Sequence, residues 1–261
     1  MIGIIGGSGL YEIEELDEKK LVPLDSIYGK PSSSDAVVGS IENIEFAFLP
    51  RHGLNHELNP SEINYRANIE ALKRIGVDKI ISISAVGSLK EEHEPGKFIV
   101  IDQYIDRTFK RKSTFFEGGC VAHVPFGDPV CDSLSNSIIS ALDNNNINHF
   151  NKGTYICIEG PQFSTRVESE LYRSWDCDVI GMTNMPEAKL AREAGICYAS
   201  LAMVTDYDCW HSEHDEVTIE AIQNVIKANI SNAHQLIKSL PNMLNLDQNI
   251  CNRCSTKIAN V

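Results

Sequence analysis

Asp206 and Asp208, two carboxylates that close the apolar run in Val204-Thr-Asp206-Tyr-Asp208-Cys-Trp210, are the residues best suited to proton chemistry. In extended backbone, positions i and i+2 project to the same side, so the pair can face one ligand. Carboxyls held close push one pKa upward, which lets one donate a proton near neutral pH while the other accepts. The rival reading of this stretch is a helix cap with a solvated turn.

Three other apolar runs end in anion donors. Ile2-Gly-Ile-Ile-Gly-Gly-Ser8-Gly9 enters a glycine-rich turn where backbone N–H groups can converge because no Cβ blocks them. It lacks the third glycine of a dinucleotide fingerprint, since Leu10, Tyr11 and Glu12 follow, and it lacks the Gly-Lys-Ser/Thr of a nucleotide P-loop. A small-anion site with the Ser8 hydroxyl remains, beside the plainer reading of a strand-end turn. Pro50-Arg51-His52-Gly53 puts a guanidinium fork and an imidazole at the second end. Ser82-Ile-Ser84-Ala85-Val86-Gly87 supplies hydroxyls and small residues at the third. Two more ends suit a flat, hydroxylated ligand. Glu159-Gly-Pro-Gln-Phe163-Ser164 offers a ring beside a hydroxyl, although Phe163 suits a core equally well. Gly181-Met182-Thr183-Asn-Met-Pro-Glu187 offers backbone donors to sugar hydroxyls.

Such ends need a scaffold that lines them up, and the chain has its pattern. Apolar runs at 2–5, 44–49, 79–83, 98–101, 155–158 and 196–204 alternate with helical spacing at 60–75, 132–145, 166–175, 184–194 and 217–239. This alternation predicts an α/β fold, whose ligands gather at the carboxyl ends of the strands. Asn184, Pro186 and Glu187 suit the N-cap and first turn of the fourth helix. A chain of 261 residues, 43% hydrophobic, can bury one large core without metals or disulfides. Residues 1–240 are read as that single domain and 241–261 as a tail, helical or partly disordered. The 36 acidic and 23 basic residues give a net charge of −13, which repels nucleic acid and leaves any bound anion to local donors. The start of the chain resembles no signal peptide and no run reaches membrane-spanning length. With eight scattered cysteines suited to a reducing compartment, the expected location is cytoplasmic.

Taken in order, IIGGSGL, PRHG, SAVGSL, EGPQFST, GMTNMPEA and TDYDCW resemble the 5′-methylthioadenosine phosphorylases of the trimeric purine nucleoside phosphorylase superfamily. The resemblance implies a central mixed, partly barrel-like sheet flanked by helices. It also implies phosphorolysis of 5′-methylthioadenosine to adenine and 5-methylthioribose 1-phosphate, with inorganic phosphate as co-substrate and neither cofactor nor metal. Phosphate would rest on Ser8, Arg51, His52, Ser84, the Ala85 backbone and Thr183. The Met182 backbone would meet the ribose, and Val86, Gly87, Phe163 and Ser164 would frame the base. Asp206 would be the catalytic acid at purine nitrogen 7. Asp208 would accept from the exocyclic amine and so favour adenine. Ile219 and Ile222 would line an apolar 5′ pocket. His56 would close it together with His123 from a neighbouring subunit, which makes a homotrimer or hexamer the expected assembly. Ser8 and Ser84 stand where many relatives have threonine, Gly181 stands where some have asparagine, and the loop 110–123 is shorter than in some.

Other activities leave other traces. A methylthioinosine or general purine nucleoside phosphorylase would not call for paired aspartates facing an amine, and a hydrolytic nucleosidase would work without phosphate. His211-x-x-His214 with Cys251-x-x-Cys254 has the ligand types of a zinc-binding interaction module.

Overall fold

The computed structural model describes residues 1–7, 9, 10, 13, 16–211, 219–244, 254, 259 and 260, with the side chains of 219–223, 259 and 260 excepted. The first half of the chain forms β1 (Ile2–Gly6), β2 (Asp17–Pro23), β3 (Asp35–Ile41), β4 (Ile44–Pro50), α1 (Tyr65–Arg74), β5 (Lys79–Ser88), β6 (Phe98–Ile101), β7 (Gln103–Arg107) and β8 (Ala122–His123). The second half forms α2 (Asp132–Asn144), β9 (His149–Phe150), β10 (Thr154–Ile158), α3 (Arg166–Ser174), β11 (Val179–Gly181), α4 (Asn184–Glu193), β12 (Cys197–Tyr207), α5 (Ile219–Ser239) and β13 (Ala259–Asn260).

Burial with period two explains the layering. Ile5, Ala47, Leu49 and Ile80 join Ile69 and Leu72 of α1 and Leu190 of α4 in one core. Their neighbours Ile2, Ile4, Phe46, Phe48, Ile81 and Ile83 join Leu134 and Ile138 of α2 and Leu236 and Ile237 of α5 in another. Alternate residues of each strand therefore feed opposite faces, and both faces carry helices. Such strands read as unbroken apolar runs, which is why they stand out in the sequence.

The strands form one eleven-stranded mixed sheet, and β5 is its hub. The first half of β5 pairs in parallel with β1, Ile2 opposite Lys79, while Gly87 and Ser88 pair antiparallel with β11. Its other edge pairs in parallel with β12 along the whole strand. β12 pairs with β6, and Asp102 alone separates β6 from β7. β7 pairs with β10 and β10 with β11. The path β5, β12, β6, β7, β10, β11 thus returns to β5, a ring turned at the Asp102 corner. That is the barrel-like part of the expected sheet, and β4, β3 and β2 extend from β1 as an open wing.

Two helix starts differ from expectation. α1 begins at Tyr65, not at residue 60, because the Asn59 side chain accepts from the N–H groups of Ser61 and Glu62 and holds a turn there. Asn64 then caps the helix by accepting from Ala67 N–H at 3.1 Å. Asn184 does not cap α4. Thr183 holds the cap position, Met185 is non-helical at φ −116° and ψ 132°, and the Asn184 amide turns inward to Ser82 and Tyr198. The tail beyond residue 240 opens with a 3₁₀ turn over Leu240–Met243. Cys254 then lies in the core beside α2 and α5, and β13 pairs with β8. No described helix is long and apolar enough to cross a membrane.

Candidate active site

The carboxyl ends of β1, β4, β5, β11 and β12 converge where β5 changes partner from β1 to β11. A bulge sharpens the geometry there. The β5–β12 register jumps from Val204 opposite Val86 to Asp206 opposite Gly87, leaving Thr205 as the extra residue. The Thr205 hydroxyl donates to Asp206 Oδ2 at 2.6 Å and also lies 3.2 Å from the Val86 carbonyl. A Cβ on Gly87 would stand 3.2 Å from Ile180 Cγ2, 3.3 Å from Asp206 Oδ1 and 3.5 Å from Asp208 Cβ. Both aspartate side chains therefore flank Gly87, Asp206 through its carboxylate and Asp208 through its Cβ, as the spacing of two predicts. Burial raises the Asp206 pKa against the opposing Thr205 hydroxyl bond, and the Asp208 charge adds to the rise. Asp208 is buried and accepts from the Ser164 hydroxyl at 3.0 Å. Its backbone N–H donates to the Ser88 carbonyl at 3.0 Å. A solvated turn does not describe this pair.

Arg51 fills the notch that opens where β5 leaves β1. It is 1% exposed, with Nε donating to Glu187 Oε2 at 2.9 Å and Nη1 to the Ile83 carbonyl at 3.1 Å. Nη2 meets the Ile5 carbonyl, Ser82 Oγ and Glu187 Oε1. Burial disfavours the charged guanidinium, but Glu187 more than offsets it and holds the pKa above its usual value. Glu187 in turn accepts from the Tyr198 hydroxyl at 2.9 Å. This arginine is thus largely committed to joining β1, β5 and α4, with a second Nη1 hydrogen beyond the Ile83 bond. His52 donates from Nδ1 to the Leu58 carbonyl at 2.9 Å and stacks on His56 with ring centroids 4.4 Å apart. Burial lowers its pKa to about 4, the Leu58 bond opposes, and the Arg51 charge lowers it further, so the ring is neutral at pH 7.

Ser84 is buried, and its hydroxyl has no hydrogen-bond partner among the described residues. A buried hydroxyl left so is costly unless a ligand completes it. Ala85, next to it, is exposed. The Val86 side chain packs into the core beside α1 and α4, so toward the site it offers backbone only. Phe163 is 84% exposed, which rules out the core alternative. Thr183 is buried, its N–H 3.4 Å from the Tyr155 hydroxyl. Ser8 and the side chains of Ile219 and Ile222 lie outside the described residues. His123 stands apart from the eleven-stranded sheet, on β8, opposite Ala259.

One contributor carries no sequence signal. Arg111 lies in the run Lys110-Arg111-Lys112, which reads as solvated, yet its side chain is 2% exposed. Its Nη1 donates to the Met182 and Met185 carbonyls at 2.6 Å and meets the Tyr65 hydroxyl at 3.1 Å. Nη2 donates to the Glu159 carbonyl at 2.7 Å. One guanidinium thereby fastens the ends of β10 and β11 to α1, and the Met182 carbonyl is taken by it.

The zinc reading fails on distance. His211 stacks on Tyr207 at the carboxyl end of β12 and meets Glu91 at 3.2 Å. Cys254 lies against Cys131 and Cys197, and Cys197 begins β12. The ten residue steps of that strand separate them by about 33 Å. His214 and Cys251 fall outside the described residues.

A carboxyl with a raised pKa over the carboxyl ends of a mixed sheet defines a class, and a family model described as the phosphorylase superfamily matches residues 1–241. A curated S-methyl-5′-thioadenosine phosphorylase of Cereibacter sphaeroides is 51% identical, covering 96% of this chain and 86% of its own. The crystal structure of a methylthioadenosine phosphorylase from an antarctic soil metagenomic library is 50% identical with a TM-score of 0.90, covering 95% of this chain and 87% of that one. Methylthioadenosine phosphorylase from Schistosoma mansoni, solved with adenine, is 33% identical with a TM-score of 0.89, covering 97% and 95%. The chain belongs to the phosphorylase superfamily and, within it, to the S-methyl-5′-thioadenosine phosphorylases.

Proposed function

We propose that the protein cleaves 5′-methylthioadenosine with inorganic phosphate, releasing adenine and 5-methylthioribose 1-phosphate. The observation that carries this reading is Asp206: a half-buried carboxyl with a raised pKa, one oxygen on Thr205 and the other beside Gly87. A phosphate oxygen attacks the anomeric carbon as the bond to purine nitrogen 9 breaks, and the bonding pair leaves with the base. Asp206 delivers a proton to nitrogen 7, so adenine departs neutral. Phosphate both stabilises the cationic ribose and captures it. Asp208, turned by Ser164, accepts from the exocyclic amine, and the exposed ring of Phe163 closes over the base.

Phosphate lies on donors from the Ser84 hydroxyl, the Ala85 backbone, Thr183, Ser8 and the remaining Nη1 hydrogen of Arg51, while the Nε2 lone pair of neutral His52 accepts from the protonated oxygen of hydrogen phosphate. Because Glu187 already neutralises Arg51, these neutral donors supply most of the anion's hydrogen bonds. Ser84→Ala should raise the KM for phosphate roughly ten- to hundredfold, the range for a hydrogen bond to a charged group. Its stability in urea should stay within experimental error of the wild type, since no protein bond is lost. The 5′ methylthio group takes the apolar face of Ile219 and Ile222, with His56 and a neighbouring subunit's His123 over it in a cytoplasmic homotrimer. Residues 1–240 act as one domain.

Incubation with methylthioadenosine, methylthioinosine, adenosine and inosine, with and without phosphate, tests the reading. Phosphate-dependent release of adenine from methylthioadenosine in preference to the other three is expected. Equal turnover of the inosines, or product without phosphate, would refute it.

A further inference from the structure

At the amino-terminal end of β12, remote from the site just described, three thiols meet. The Sγ atoms of Cys131, Cys197 and Cys254 all lie within 4.8 Å of one another, and all three residues are buried. They come from distant parts of the chain: the cap position of α2, the first residue of β12 and the tail. Two are fixed by backbone bonds, Cys131 N–H donating to the Tyr198 carbonyl at 2.8 Å and Cys197 N–H to the Asp78 carbonyl at 3.1 Å. Cys131 holds the N-cap position of α2.

We propose that Cys131, Cys197 and Cys254 form a structural zinc site that fastens the C-terminal tail to the body of the protein. Tetrahedral zinc with Zn–S bonds of about 2.3 Å holds its sulfurs about 3.8 Å apart. Thiols already inside 4.8 Å reach that spacing by closing about 1 Å. An all-sulfur set selects zinc over magnesium or calcium, which take oxygen ligands. On binding, the three S–H groups release their protons to solvent as three Zn–S bonds form, and solvent or one further ligand completes the tetrahedron. The site ties residue 254 to the start of α2 and the start of β12, and five residues further on Ala259 sits opposite His123 in β8. Holding the tail therefore also holds the strand that carries His123.

The test is metal content with stability. Protein purified under a thiol reductant, equilibrated with zinc and desalted, should retain about one zinc per chain. Cobalt in its place should give a thiolate-to-cobalt charge-transfer band. Cys131→Ser and Cys254→Ser, checked for folding by circular dichroism, should each bind more weakly by at least the roughly ten- to hundredfold that outer-shell changes alone cost. Chelation should lower the Tm of the wild type and leave that of Cys254→Ser unchanged, while Cys120→Ala, at an exposed cysteine, should behave as wild type. Folded wild type that takes up neither zinc nor cobalt overturns the proposal. So does undiminished zinc binding in both serine variants.

Discussion

Asp206→Ala is expected to lower kcat for phosphorolysis about a hundred- to ten-thousandfold, the contribution of one positioned proton donor. The KM for phosphate should move little, because the contact proposed for this carboxyl is with the base. Asp206→Asn separates two roles: its amide can hydrogen-bond nitrogen 7 but cannot transfer a proton, so it should recover binding of adenine without turnover. Stability should change in the opposite direction. Since burial raises the folded pKa of Asp206, the stability tied to its protonation is complete below the unfolded value of about 3.9 and is lost as pH rises through the folded pKa. At pH 7 Asp206→Asn should therefore melt above the wild type, and the gap should close near pH 3. Thermal melts at the two pH values read this directly. A variant that loses activity and also melts lower at pH 7 would count Asp206 as a structural residue instead.

Arg51→Met should cost about 3–5 kcal/mol of folding stability in urea titration, the typical loss when one partner of a buried ion pair is removed. The cost arises at Glu187, left charged and buried beside the Tyr198 hydroxyl. Arg51→Met combined with Glu187→Met should be markedly less destabilised than Arg51→Met alone, because the orphaned charge is gone. If the single and double variants unfold alike, the pair contributes nothing beyond packing. Loosening the notch should also displace Ser84, so the surviving folded fraction should show weaker phosphate saturation.

The central strands and the helices that cover them were legible because each strand is buried on two faces and reads as an unbroken apolar run. β2, by contrast, is an exposed edge whose Asp17, Glu18, Lys19 and Lys20 deter pairing with other chains and carry no apolar period. Asp206 and Asp208 were legible through their spacing alone, since extended backbone sends alternate residues one way. The bulge at Thr205 was not, because nothing local to one strand records the register of its neighbour. Arg51 was visible as a cation at a strand end, but its commitment to Glu187 depends on a contact 136 residues away. Arg111 was invisible for the same reason, being flanked by lysines that solvate normally. The three thiols were countable, yet only the folded chain brings them to one place.

The position of β5 at the hub of the sheet has a consequence for how the protein is made. Lys79 pairs with Ile2 on one side and with Cys197 on the other, so one edge waits for a partner encoded far downstream. Translation from residue 88 to residue 207 takes roughly 6–24 s at ordinary elongation rates. Throughout that interval Ser84 and Gly87 exist without Asp206, and the longest apolar edge of the nascent chain stays open to wrong partners. The Asp206 carboxyl arrives on the strand that closes this edge, so ribosome-bound intermediates carry the aggregation hazard of the fold before the proposed site is complete.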